Sequence, residues 1–283
     1  MLAASTGLGQ ERPLGSGAEL RIAFTVDLEP DWGTPEGPCR VLDEVLPDLL
    51  AWLDAQRIRG TFFTVGELAR RFPDAVRRIA ERHEIASHGH SHRRLDRMDR
   101  GAAAREVAES KQVLESVAGT EVRGFRAPFL KRPGGLADAL AGAGYAYDSS
   151  GGACAPSLAN AVLPKGAGPF RYDTGDAWLP ISTMRDGLTP FCLTALRVGY
   201  PVSLLDFPRR PRLLFLHLHE LSDLPVPAEA GGAVRRMLLR RGRGAVALRA
   251  LSKTVEWYRQ HGGEWMSCEE YIAQSTEEGT TTG

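Results

Sequence analysis

The sequence predicts an α/β protein built on a parallel sheet or barrel, and three observations predict it. Runs of strand length alternate with runs of helical spacing along most of the chain. The first strand, RIAFTVDLE (21–29), sends Ile22, Phe24, Val26 and Leu28 one way and Ala23, Thr25, Asp27 and Glu29 the other. Apolar residues outward and small or acidic ones inward suit a wall covered by helices on its outer face. The third observation is that ionisable residues fall at the carboxyl ends of the predicted strands, where parallel α/β folds place ligands.

Each element follows from its local pattern. VLDEVLPDLLAWLDAQRI (41–58) has apolar positions at helical spacing and stops before Gly60, and GTFFTV (60–65) reads as the second strand. ELARRFPDAVRRIAERH (67–83) is helical, with Pro73 opening a new turn. EIASH (84–88) is a third strand, REVAESKQVLESVAG (105–119) a helix closed by Gly119, and VRGFRAP (122–128) a fourth strand. GLADALAGAG (135–144) and YAYDSS (145–150) continue the alternation. Further on come WLPIST (178–183), a strand RLLFLHLH (212–219), a helix through Leu248, Leu251, Val255 and Tyr258, and a last strand near Trp265. The stretch 151–210 is rich in Gly and Pro and weakly periodic. These spans define one domain, 20–275, between a flexible lead-in, 1–19, and a flexible tail, 276–283.

Bulk composition narrows the classes. The 283 residues are 43% hydrophobic and 25% charged, as in a globular protein with a full core. With 35 basic and 35 acidic residues the formal charge is zero, so no global field recruits nucleic acid. No apolar run reaches the ~20 residues of a membrane span, and residues 1–20 lack the basic and apolar regions of a signal peptide. Cys39, Cys154, Cys192 and Cys268 are scattered without CxxC spacing, which points to thiols in a reducing, cytoplasmic compartment, with two disulfides as the alternative.

The seven histidines are unevenly placed: four lie between His83 and His92, and two more are His217 and His219. Asp27 and Glu29 close the first strand, His88 the third, Arg126 the fourth, and His217 and His219, on one face by strand alternation, a late one. Six ionisable groups thus converge on one rim.

Together these residues resemble the polysaccharide deacetylase family (NodB-homology domain, carbohydrate esterase family 4) through ordered motifs across roughly 20–220. TVDLE (25–29) stands for the usual TFDD, and HGHSH (88–92) for H-[ST]-x-x-H with Gly89 at the Ser/Thr position. RAPF (126–129) is the RxP motif, and LLFLH (213–217) the apolar stretch ending in His. The resemblance implies a single-domain distorted (β/α) barrel of about seven parallel strands and one divalent ion held by Glu29, His88 and His92. Zinc suits two imidazoles and a carboxylate with one position open to water, and cobalt, nickel or iron are alternatives. It further implies Asp27 as catalytic base, Arg126 orienting it, and His217 as acid, with His219 as a second candidate. Leu28 between the acids leaves an exchange of roles open, and Asp31 is a third candidate. His90 is expected to point elsewhere. No Asp-Trp pair matches the family's fourth motif, and Asp148 in YDSS occupies that region. Pro128 and the backbone N–H of Phe129 are expected near the acyl oxygen. Trp32 and Trp178 are candidate sugar platforms or packing residues.

The implied activity is metal-dependent removal of an N-acyl group, acetyl first, from an amino sugar or glycoconjugate. Five arginines between 235 and 243 form a solvated face or, through Arg240, Arg241 and Arg243, a contact for a phosphate-linked substrate or a weak peripheral contact with anionic lipid. Three other classes compete. Non-haem iron oxygenases also use two histidines and a carboxylate but sit on a β-sandwich. Ring-opening or formamide hydrolases of the allantoinase or deformylase kind share the scaffold. A non-catalytic sugar-binding module would not need a complete acid, base and ligand set.

Overall fold

The computed structural model describes residues 20–33, 38–151, 170–171, 177–179, 190–200, 213–228 and 232–280. The lead-in 1–19, Cys154, the end of the predicted 178–183 strand and the last three residues of the tail lie outside them.

At the centre lies β1 (Leu20–Leu28), whose residues are nearly all buried. Its carboxyl half pairs in parallel with β2 (Thr61–Thr64) on one side and β8 (Leu213–His217) on the other, and its amino half with β9 (Gly263–Met266). The sheet continues in parallel from β2 through β3 (Glu84–Ser87), β4 (Gly124–Phe125), β5 (Tyr147–Asp148) and β7 (Ala177–Trp178). Only β6 (Phe170–Arg171), antiparallel to β7, breaks the pattern among the described strands. The result is a parallel half-barrel wrapped by helices, as expected. It has nine described strands where about seven were predicted: β6 is a two-residue piece in the Gly/Pro-rich stretch, too short to show periodicity, and β7 meets the predicted 178–183 strand at Trp178.

The helices follow their sequence signals. α1 (Arg40–Glu44) and α2 (Leu46–Gln56) end at Arg57, which adopts a left-handed conformation. α3 (Gly66–Arg71) and α4 (Pro73–Ala80) divide at Pro73 as predicted. α5 (Arg100–Ala118) begins five residues earlier than its apolar pattern, because the Asp99 side chain caps it by accepting from Ala102 N–H at 2.8 Å. Such a cap contributes about 1 kcal/mol. α6 (Leu136–Ala143), α7 (Leu193–Arg197), α8 (Ala233–Arg240) and α9 (Ala245–Gln260) follow. The final helix, α10 (Cys268–Thr280), covers a segment whose pattern gave no helix.

The outer face of β1 meets the helical layer where Phe24 packs on Trp52 of α2 and on Trp265, with ring centroids 6.1 and 6.0 Å away. On the inner face the Thr25 hydroxyl donates to the Leu214 carbonyl at 3.0 Å, and Asp27 follows two residues on. Alternation on one strand therefore separates core from site.

One predicted element needs correction. The strand expected over 212–219 stops at His217, and Leu218–Leu221 coil into a 3-10 turn. The Glu220 carboxylate captures the His217 backbone N–H at 3.0 Å and closes that turn. His217 and His219 therefore do not alternate along a strand; their rings stack, 5.0 Å apart and 22° from parallel.

Candidate active site

Glu29, His88 and His92 converge at the carboxyl ends of β1 and β3, with one ligand atom from each within 4.8 Å of the others. His92 Nε2 lies 2.6 Å from Glu29 Oε2, and His88 Nε2 4.0 Å from the same oxygen. Each ring is tethered through its other nitrogen. His88 Nδ1 meets the Arg126 carbonyl at 2.8 Å, and His92 Nδ1 the Gly33 carbonyl at 3.2 Å. A carbonyl accepts only, so both Nδ1 atoms carry a proton and both Nε2 atoms face the carboxylate, the arrangement that orients metal-binding histidines. Buried His92 Nε2 makes no well-formed hydrogen bond despite its closeness to Glu29. A donor set of two imidazoles and a carboxylate with an unsatisfied nitrogen at its centre fits a divalent cation.

The local backbone is shaped for this convergence. Among the described residues, five non-glycines have positive φ, and four of them, Trp32, His92, Phe129 and Leu130, surround the site. Each such residue costs about 1–2 kcal/mol, a strain that clusters at functional sites. Gly33 (φ 70) lets the chain pass so close that a Cβ there would stand 3.2 Å from His92 Cε1 and 3.3 Å from Glu29 Oε1. Gly89 (φ 76) does the same beneath Pro128, at 3.1 Å from its Cγ.

Asp27 lies beside the ligand set and belongs to a different network. Its Oδ1 accepts from Arg126 Nη1 at 2.5 Å. Arg126 is fully buried, donates also to the hydroxyls of Thr25 (3.1 Å) and Ser149 (3.0 Å), and lies 3.8 Å over the Phe63 ring. The Asp148 Oδ1 accepts from Ser150 N–H at 2.7 Å and its Oδ2 lies 3.5 Å from Arg132. Ser149 holds Arg126, a role that no motif announced.

His217 faces both acids, with Nε2 3.8 Å from Asp27 Oδ2 and 3.7 Å from Glu29 Oε1. Burial works against a charged ring here, but Glu29, Glu220 and Asp27 outweigh it and push the His217 pKa up to about 9. His88 goes the other way: burial, only partly opposed by Asp27 and Glu29, brings it down to about 4, leaving a neutral ring. Glu29 would be raised by burial, yet His217 and His92 beside it hold it well below the usual carboxylate range. His219 is brought down to about 4 by burial and by charged His217.

The remaining predicted residues divide. Phe129 is half exposed and lies over His92 with centroids 5.0 Å apart, and Pro128 is buried against the histidine loop. Trp32 stacks 4.6 Å from His219 with Arg243 5.4 Å over its ring, which gives it a packing role. Asp31 accepts from the backbone N–H groups of Arg40 (3.0 Å) and Val41 (3.3 Å) at the start of α1 and stays outside the ligand set. His90 points to Glu109, 3.4 Å from Nε2. Glu106 binds the loop backbone at His90 and Ser91, a contact 15 residues distant that the sequence could not show. Arg240 and Arg241 are exposed, and only Arg243 reaches the site's edge, donating to the Leu224 carbonyl at 2.6 Å. The side chain of Trp178 lies outside the described residues.

Comparison with known proteins follows the same line. The family model for Polysaccharide deacetylase matches residues 16–147. Over 112 residues the chain is 32% identical to the peptidoglycan-N-acetylglucosamine deacetylase of Bacillus cereus, a stretch covering 39% of this chain and 37% of that protein. Well under half of that relative's length is therefore matched. A polysaccharide deacetylase candidate from Mycobacterium smegmatis shares the fold over 96% of both chains, with a TM-score of 0.64 at 20% identity. Puue allantoinase shares it over 94% of both, with a TM-score of 0.61 at 14% identity. At these identities the likeness is one of fold.

Proposed function

We propose that the chain is a polysaccharide deacetylase, a reading supported by the match of that family's model to residues 16–147, and that it hydrolyses the N-acetyl group of an amino sugar, releasing acetate and a free amine. The observation that carries the reading is the tethered convergence of Glu29, His88 and His92 with Asp27 and His217 flanking it. These three ligands would hold a divalent ion, and zinc suits them best. Such an ion, when bound, supplies Lewis acidity toward the acyl oxygen and lowers the pKa of water.

The chain's own groups do the rest. Asp27, aligned by Arg126 at 2.5 Å, takes the proton of the attacking water. His217 presents Nε2 to the same space and gives its proton to the departing nitrogen, which an amide requires because its amine leaves poorly. The Phe129 backbone N–H is the candidate donor to the developing oxyanion, while the ring of Phe129 and Pro128 wall the pocket. In this reading Arg243, which packs over Trp32 at 5.4 Å, is the basic residue that would meet a phosphate on the substrate. Cys39, Cys192 and Cys268 are buried, and the cytoplasmic setting in this reading rests on the scattered cysteine spacing of the sequence.

A mass-spectrometric screen of N-acetylated sugars, nucleotide sugars and lipid-linked sugars tests the reading. Loss of one acetyl mass, stopped by chelation and restored by zinc, is expected, and Asp27→Asn should abolish turnover while keeping the metal. Turnover of allantoin with every N-acetyl sugar untouched would replace this reading with the ring-opening one.

A further inference from the structure

We infer that Glu220 is a positioning residue for His217, held for that task by Arg197 and Thr194. The inference rests on the proposed function, in which His217 delivers the proton.

Glu220 is 1% exposed, and a buried carboxylate is costly unless its oxygens are satisfied. The two oxygens divide the work. Oε1 accepts from the Thr194 hydroxyl and from Arg197 Nε at 3.2 Å. Oε2 accepts the His217 backbone N–H at 3.0 Å and lies 3.6 Å from His217 Nδ1. One edge of the carboxylate is thus anchored to α7 and the other is turned to the histidine. The anchor is itself braced, since Arg197 is fully buried and its Nη1 donates to the carbonyls of Leu238 (2.9 Å) and Arg241 at the end of α8.

A negative charge beside each ring nitrogen decides how the ring sits. Asp27 and Glu29 attract Nε2, and Glu220 attracts Nδ1 from the opposite side. His219, stacked on the ring, limits its plane but does not choose which nitrogen faces the acids. Without the Glu220 charge the two site carboxylates pull unopposed, and the ring leaves its line to the departing nitrogen. The carboxylate that faces Nδ1 comes from three residues beyond His217.

The test is a double-mutant cycle on zinc-loaded enzyme with an N-acetyl sugar identified by the screen. Glu220→Gln keeps the shape and removes the charge. It should lower kcat roughly 10- to 100-fold with KM within about threefold, while the same change on the residual rate of His217→Ala should cost less than about twofold. Glu220→Asp should recover part of the loss. An equal loss in both backgrounds makes Glu220 a structural ion pair, and wild-type turnover in Glu220→Gln removes any role; either overturns the inference. If the wild-type protein deacetylates nothing, the proposed function fails separately, and ring-nitrogen NMR of labelled histidines still decides here. Glu220→Gln must shift the His217 signals and leave those of His88 and His92 in place; an unmoved His217 overturns the inference.

Discussion

His90 and His92 stand two residues apart and face opposite directions. The turn after His88 passes through Gly89 at φ 76 and brings His92 to φ 54, so its ring returns to Glu29 while the His90 ring points at α3 and α5. A Cβ on Gly66 would lie 2.6 Å from His90 Nδ1, which shows how tightly that ring is packed. The His90 ring is thus packed between helices, while the His92 ring joins Glu29 and His88 in the cluster proposed to hold the metal. His92→Ala should bind less than a tenth of the zinc bound by the wild-type protein, and His90→Ala should keep full stoichiometry with a stability loss of about 1–3 kcal/mol. Metal content after dialysis, with urea unfolding beside it, checks both; zinc lost from His90→Ala and kept by His92→Ala would reverse the assignment.

At the scale of elements, the histidine loop and the RAPF turn are built against each other, which accounts for Gly89 at a position where the family pattern has Ser or Thr. With φ 76 and Pro128 Cγ 3.1 Å from a would-be Cβ, a side chain would be strained and would push the RAPF turn outward. Gly89→Ala should lose about 1–3 kcal/mol of stability and weaken zinc binding; a zinc titration matching wild type would show that the turn yields without cost. Legibility in the sequence followed the range of the forces involved. β1, β2 and β3 were readable because alternation and burial are local, and the α3–α4 break because Pro73 forces it. The turn after His217 was not, because HLHE alternates like a strand and only the capture of Glu220 by Arg197 and Thr194 ends it. Ser149 on Arg126 was equally hidden: YDSS offers three polar side chains in a row, and only the pairing of β5 with β4 selects among them.

For the whole molecule, β1 is the element that both ends of the chain must reach. It pairs with β2 from the amino-terminal side and with β8 and β9 from the carboxyl-terminal side, so Asp27 and Glu29 meet His88 and His217 only when the complete sheet forms. Global stability therefore limits the site, and buried histidines give that stability a pH dependence. His83 lies away from the Glu29–His88–His92 cluster: its Nδ1 accepts the Gly60 N–H at 3.3 Å, and its ring packs on Phe62. Burial, aided by Arg82 and Arg59 and opposed by Asp54, takes its pKa down from 6.5 to about 4. Between those values the unfolded chain binds the extra proton and the folded one does not, so stability rises with pH. The His83 contribution is complete above about pH 6.5 and is lost as the pH falls toward 4. Urea midpoints of metal-free protein should decline across that window. His83→Gln, which can still accept from Gly60, should decline less steeply while keeping some slope from His88 and His219, both also at about 4. Parallel curves for the two proteins would mean that His83 takes up its proton in the fold as readily as in the open chain.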